Sequence, residues 1–405
     1  MEQIIAPLPR VSIQAFCETA EVMAVMHAVA EDRRAGHAQI KVQMGGGEAA
    51  VEAYRNASSP NVLVIEMDGA AGFLACLDRL AETCDPGTKV LVIGHTNDVQ
   101  LYRELMRRGV SDYLIAPVDL VECVRALSEM FHAPSAEPIG RTIAVIGAKG
   151  GIGASSIAHN LAWTISEDFG VQTTIVDLDL AFGTVGLDFN QDPAQGIADA
   201  IFAQDRLDAN LVDRLLTKCT DRLSILAAPS TLDRSYDMSE TSFDGTIDVL
   251  RAAAPCIILD IPHQWTAWSR RLLFAADEIV LVASPDLANL RNAKNLSDET
   301  QKSRPNDRKP HLLLNQVGLP KRPEITVTDF CKALDLEAAA VVPFDAHLFG
   351  TAANNGQMIA EVQAKGKATE AFAELARRVT GRLKEKQERR SMFEPLLSRL
   401  QRRKA

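Results

Sequence analysis

The sequence predicts an α/β chain of two doubly wound domains, and three observations carry that expectation. Short apolar runs alternate with amphipathic segments as far as residue 132, a Pro-containing break follows, and a second alternating series begins at Thr142. Alternating strand and helix signals imply parallel sheets, because each crossover helix covers a sheet face. A length of 405 residues also exceeds one ordinary domain.

In the first series the strand candidates are 11–16, 40–44, 61–67, 89–93 and 112–115. Each is a short run bounded by turn-forming residues. Helical periodicity lies between them, as over 101–108, and after the last, over 120–130. Ala133-Pro134-Ser135-Ala136-Glu137-Pro138 then breaks the pattern, giving a first domain at 1–132 and a linker at 133–140. The second series offers strands at 142–148, 172–177, 223–227, 256–261, 278–283, 311–317 and 339–342, with a helix at 157–165 after the first. A last helix at 369–386 closes a domain of 141–386, and 387–405 is a basic tail. Right-handed crossovers stack these strands into a doubly wound sheet, which places ligands at the strand C-terminal ends.

Composition narrows the class. Apolar residues are 47% of the chain and charged residues 24%, enough for packed cores. No basic stretch leads into an apolar run at the start, so no secretory leader is expected. No apolar run approaches the ~18 residues a membrane span needs. Cys17, Cys76, Cys84, Cys123, Cys219, Cys256 and Cys331 are scattered without a CxxC pair, as reduced thiols in a cytoplasmic protein are. The histidines show no metal-ligand spacing. The net charge of −10 is uneven: the residues from Arg377 onward carry about +8, leaving an acidic body. Such a body lacks the basic face that nucleic-acid phosphates require, so no nucleic acid is expected as a partner.

The sharpest motif follows the first strand of the second domain: Gly147-Ala148-Lys149-Gly150-Gly151-Ile152-Gly153-Ala154-Ser155-Ser156. Glycines at a strand-to-helix turn let backbone N–H groups point inward around a polyphosphate, and the helix N-terminus adds partial positive charge. A tight turn without a ligand is one alternative. A dinucleotide fingerprint is another, but it would need a third glycine where Ser156 stands. Two acidic strand ends accompany the loop, Asp177-Leu178-Asp179 and Asp260-Ile261-Pro262. Asp residues at such places can also merely cap helices or end strands.

The loop resembles the deviant phosphate-binding loop of the MinD/ParA ATPases. The resemblance implies that Lys149 reaches the partner subunit's phosphates and that Ser155 ligates Mg²⁺. It also implies that Asp179 orients the attacking water, while Asp177 and Asp260 serve the metal. Gly150, Gly151, Ile152, Gly153, Ala154, Ser155 and Ser156 would surround ATP. Asn315, in Leu312-Leu313-Leu314-Asn315, is similar to the residue that reads the adenine edge, and Pro343, in Val341-Val342-Pro343-Phe344-Asp345, to the base-stacking loop. Two positions depart: Ala148 replaces a glycine, and Ala154 replaces the lysine that contacts the β- and γ-phosphates in cis.

The first domain, ending in Tyr113-Leu114-Ile115-Ala116-Pro117, resembles a response-regulator receiver without its chemistry. Glu66 stands near the phosphoacceptor place, with Asp68 as a shifted alternative. Ala116 holds the lysine place and Cys17-Glu18 the acidic pair. The expectation is an interaction module without phosphoryl transfer. A degenerate receiver joined to such an ATPase, with Leu281-Val282-Ala283-Ser284-Pro285-Asp286 and the run after it, resembles the CpaE/TadZ family. That resemblance implies an ATP- and Mg²⁺-binding homodimer with weak hydrolysis that localises Tad/Flp-type pilus assembly at the cell pole, among pole-marking proteins. Met392, Phe393, Leu396, Leu397 and Leu400, flanked by arginines, suit an anionic membrane surface or a dock on the acidic body. A DNA-partitioning ATPase and a phosphorylation-controlled output protein are the alternative functions.

Overall fold

A computed structural model describes residues 5–9, 11–55, 57–67, 72–85, 87–131, 140–203, 206–232 and 235–381. The tail at 387–405, Asp68 and most of the 133–140 linker lie outside them. The described residues fall into two compact units. One runs up to residue 139 and includes Glu299–Arg308; the other runs from Gly140 onward and is interrupted only by that segment.

In the first unit, β1 (Ser12–Cys17), β2 (Gln39–Met44), β3 (Val62–Met67), β4 (Lys89–Gly94) and β5 (Asp112–Ile115) pair in the order β2-β1-β3-β4-β5, all parallel. This is the flavodoxin-like doubly wound order. The two-residue period of a strand sorts its side chains between two cores. Ile13, Ala15 and Cys17 join Val62, Val64, Leu91 and Ile93 beneath the helices Ala20–Glu31 and Leu120–Glu129. Phe16, Leu63, Ile65 and Val92 pack on the other face against Val51, Tyr54, Leu77, Leu80 and Leu105. β3 is buried from Val62 to Glu66, as a strand covered on both faces must be, whereas the edge strand β2 is mostly exposed.

The second unit holds β6 (Arg141–Gly147), β7 (Thr173–Asp177), β8 (Thr217–Lys218), β9 (Leu223–Leu226), β10 (Cys256–Ile261), β11 (Glu278–Ala283), β12 (His311–Val317) and β13 (Ala338–Pro343). They pair in the order β13-β12-β11-β6-β10-β7-β9-β8. Among the described residues, only the β8–β9 pair is antiparallel. β10 and β11 lie on opposite sides of β6, so the winding reverses there and a crevice opens at the C-terminal end of β6. The expected α/β class and doubly wound form hold, with strand ends within a residue or so of expectation.

Three differences have local causes. The two-residue β8 is too short to leave a periodic signal. The helix expected from residue 157 begins at Ala154, because Gly153 at φ +82° turns the chain directly from loop to helix. Its far end runs on as a π-helical turn, Thr164–Asp168, where the Thr164 hydroxyl donates to the Asn160 carbonyl at 2.9 Å. The last described helix spans Lys367–Val379.

Candidate nucleotide site

The crevice is built from the ends of β6, β7, β10, β12 and β13. After β6 the Ala148 amide still donates to Val282 of β11 at 2.8 Å, and the ladder then stops. From there the loop's carbonyls are held by side chains. His263 Nδ1 lies 2.9 Å from the Gly147 oxygen, Asn292 donates to Ala148 at 2.8 Å, and Asn315 donates to Ile152 at 2.7 Å. Gln316 approaches the Gly151 oxygen at 3.5 Å. With the carbonyls tied outward, the amides of Lys149 through Gly153 have no partner among the described residues. Gly151 and Gly153 have positive φ, and an added Cβ at Gly150 or Gly151 would meet nothing within 4 Å. Unpaired amides around open space at a helix N-terminus make an anion cradle. Ala154, Ser155 and Ser156 form the helix's first turn, half-buried beside it, and Ile152 is buried.

The acids stand next to this cradle. Asp177 and Asp260 are register partners on the adjacent parallel strands β7 and β10. Asp177 is wholly buried, and its two oxygens accept the Asp179 and Val185 amides, each at 3.1 Å. A Cβ at Gly183 would overlap that carboxylate, so the chain passes closely there only as glycine. Burial pushes the Asp177 carboxyl above the usual range, and the neighbouring Asp260 pushes the same way. Asp179 is half-buried and caps its own turn by accepting the Phe182 amide at 3.1 Å.

Among the described residues, no group of three or more His, Cys, Asp and Glu side chains could hold a metal alone. Two carboxylates and the Ser155 hydroxyl next to an anion cradle suit a hard divalent cation that brings phosphate oxygens and water as its remaining ligands. The donors present therefore fit Mg²⁺ with a nucleotide. Asp177 has both oxygens engaged, which leaves Asp260 and Ser155 as the freer donors.

Lys149 is exposed at the head of the loop. It lies within electrostatic reach of Asp286, whose carboxyl burial would raise but which the Asn289 amides, Lys149 and Arg322 hold low. Asn315 is buried at the end of β12, and its oxygen accepts the Gln316 amide at 2.8 Å. One of its N–H groups is spent on the Ile152 carbonyl of the loop. Pro343 ends β13 opposite Val317, half-buried, and Asp345 caps the helix Ala346–Asn355.

Sequence reasoning missed His159 and Asp188. His159 is buried in the helix behind the loop, with Nδ1 2.7 Å from Asp188 Oδ2 and Nε2 3.5 Å from Asp260 Oδ2. Burial alone would lower its pKa, but the two carboxylates outweigh burial and raise it to about 10. A polar pair, His159-Asn160, inside an otherwise apolar helix face was the available signal.

The first unit gathers its own acid. Glu66 is buried at the end of β3 and accepts the Glu18 amide at 2.7 Å, the Thr19 amide at 2.9 Å and the Thr19 hydroxyl at 2.6 Å. His95 Nε2 lies 3.0 Å away. Burial would raise the Glu66 carboxyl, yet the bonds from Thr19, Glu18 and His95 bring it below its ordinary value. Ala116, at the lysine place, precedes Pro117 through a cis peptide bond.

Several known proteins resemble parts of this chain. The family described as "Cellulose biosynthesis protein BcsQ" matches residues 141–291. The septum site-determining protein MinD of Helicobacter pylori is 23% identical over 252 residues, which is 59% of this chain and 90% of that protein. A ParA family ATPase from Chlorobium tepidum superposes with a TM-score of 0.53 at 24% identity, over 58% of this chain and 98% of its own, and shows the fold of the second unit's class. A pilus assembly protein CpaE from Caulobacter crescentus is 46% identical over its whole length, 32% of this chain, with a TM-score of 0.31. No helix among the described residues is long and apolar enough to cross a membrane. CpaE pilus assembly proteins are among the solved structures that this chain is similar to, and the second unit has a MinD/ParA-like fold.

Proposed function

We propose that the second unit binds ATP with Mg²⁺, dimerises around it, hydrolyses it slowly, and thereby localises a pilus-assembly machine at the cell pole. The observation that carries the reading is the cradle of unpaired amides from Lys149 to Gly153 lying beside Asp177 and Asp260. In this reading the amides and Ser155 take the phosphates, Asp260 and Ser155 hold the metal, and Asp179 stands where a water would be oriented. Asn315 and Pro343 border the base. A bound Mg²⁺ would supply charge neutralisation at the phosphates.

The missing lysine at Ala154 sets the rate. Loss of one transition-state donor typically slows chemistry about 10²–10³-fold. Binding survives, because amides and metal remain. Lys149 is the one cation left in the loop, and its exposure suits contact with a second copy. Phe182, Trp265 and Leu287 are exposed in the segments that follow β7, β10 and β11, and offer apolar area to that copy. The first unit, with Glu66 already satisfied and Ala116 in place of a lysine, serves as an interaction module for pole-marking or pilus proteins.

Sedimentation with and without Mg²⁺ and ATP, alongside binding of a fluorescent ATP analogue, tests the reading. Wild type is expected to bind the analogue and shift to dimer, and Lys149→Ala to bind it but remain largely monomeric. A dimer of unchanged strength in Lys149→Ala would remove the trans role, and absence of analogue binding in wild type would remove the nucleotide reading.

A further inference from the structure

Behind the cradle, His159 lies on the buried side of the helix Ala154–Trp163 and touches two segments that are distant in sequence. Its Nδ1 meets Asp188, the last residue of the short helix Val185–Asp188. Its Nε2 faces Asp260 at the end of β10. That contact, at 3.5 Å, is too long to count as a hydrogen bond, and among the described residues the buried Nε2 has no other partner. Phe189 packs on the ring at 5.8 Å between centroids and restricts its turning.

The segment 179–188 is thus held at both ends. Asp177 grips its start through the Asp179 amide and its middle through the Val185 amide. His159 grips its far end through Asp188 and faces Asp260 with its other nitrogen. Between those grips stand Asp179 and the exposed Phe182. A buried Nε2 without a hydrogen bond, a short step from a carboxylate, is a contact that closes or opens when that carboxylate turns.

We propose that His159 is a positioning residue that couples the 179–188 segment to Asp260, so that what Asp260 holds sets where Asp179 and Phe182 stand. The inference rests on the nucleotide reading above and extends it to a residue outside the loop. Groups that orient a metal-holding carboxylate from behind typically change metal affinity about 10–100-fold when removed. A histidine that merely fills the core would affect folding without changing the metal dependence of a folded protein.

The full chain is used for the test. Binding of a fluorescent ATP analogue is titrated with Mg²⁺, and hydrogen exchange over 179–188 is followed with and without Mg²⁺ and ATP. In wild type, exchange in this segment is expected to slow when both are present. In His159→Gln and Asp188→Asn the Mg²⁺ midpoint is expected to rise about tenfold and the slowing to vanish, while binding of the analogue in EDTA stays unchanged. Should His159→Gln fail to fold, Asp188→Asn, at a partly exposed position, decides alone. Folded variants that keep the wild-type midpoint and the wild-type slowing overturn the coupling. A wild type that binds no analogue overturns the nucleotide reading and this inference together, and that failure is distinct because it shows in the unaltered protein.

Discussion

Glu66 and Asp177 occupy similar places in two doubly wound sheets, at the C-terminal end of a strand, yet their surroundings are opposite. Glu66 accepts three bonds from the turn after β1 and meets His95, so its carboxyl is held low. Asp177 faces Asp260 across a strand pair, so its carboxyl is pushed up despite two amide bonds. The first acid is a finished structural part. The second repels its neighbour Asp260, and His159, between Asp188 and Asp260, offsets part of that charge. Location on a fold therefore does not assign a role; the donors around each carboxylate do.

The largest expected effect is a split in pH dependence. Glu66 has a depressed folded pKa, so its stabilisation is complete above the ordinary carboxylate range, about 4.3, and is lost as pH falls through the folded value. His159 is raised from 6.5 to about 10, so its stabilisation is complete below 6.5 and is lost as pH rises through about 10. Asp177, also raised, contributes in the same direction as His159, being most favourable at low pH. The first unit should therefore weaken on the acid side and the second on the alkaline side. Urea melts read by limited proteolysis and mass spectrometry report the units separately. Weakening of both on the same side would break the comparison.

Next in size is Glu66→Ala. It leaves the Glu18 and Thr19 amides without their charged acceptor inside the protein, which is expected to destabilise the first unit by about 3 kcal/mol. Asp177→Ala should destabilise the second unit by less, because it also removes a like charge from beside Asp260. Equal losses in the two denaturation curves would mean that the Asp177–Asp260 contact is already neutralised.

Much of this was legible in the chain and some of it was not. Strands such as Cys256–Ile261 and Glu278–Ala283 are unbroken apolar runs, which sheet burial on both faces demands, and their limits could be read directly. The loop from Lys149 to Ser155 was legible because glycine spacing has a local geometric cause. His159 was not, since one histidine on an apolar helix face has no spacing to mark it, and its partners lie 29 and 101 positions along the chain. The grouping of Glu299–Arg308 with the first unit likewise depends on contacts that no local pattern encodes. Glu66 stands out in the sequence near the phosphoacceptor place, but its ring of donors comes from the turns after β1 and β4, which only the folded sheet brings together.

The smallest change in stability should come from Gly150→Ala, and it separates a cradle from a turn. Gly151 has φ +77°, where any side chain strains the backbone by roughly 1–2 kcal/mol, so a loss of binding there would mix strain with function. Gly150 has no such φ, and a Cβ there meets nothing within 4 Å. Alanine at 150 should therefore leave stability within about 0.5 kcal/mol of wild type. The open space around it is where a phosphate would approach the amides, and a methyl group intrudes on that approach, as at the close-contact glycine of other phosphate loops. The expected result is an unchanged melting curve with affinity for the fluorescent ATP analogue reduced about tenfold, a loss of about 1.4 kcal/mol in binding. An alanine variant that melts and binds like wild type would make the loop an ordinary strand-to-helix turn, and the adjacent pair Asp177 and Asp260 would then need another reason to be there.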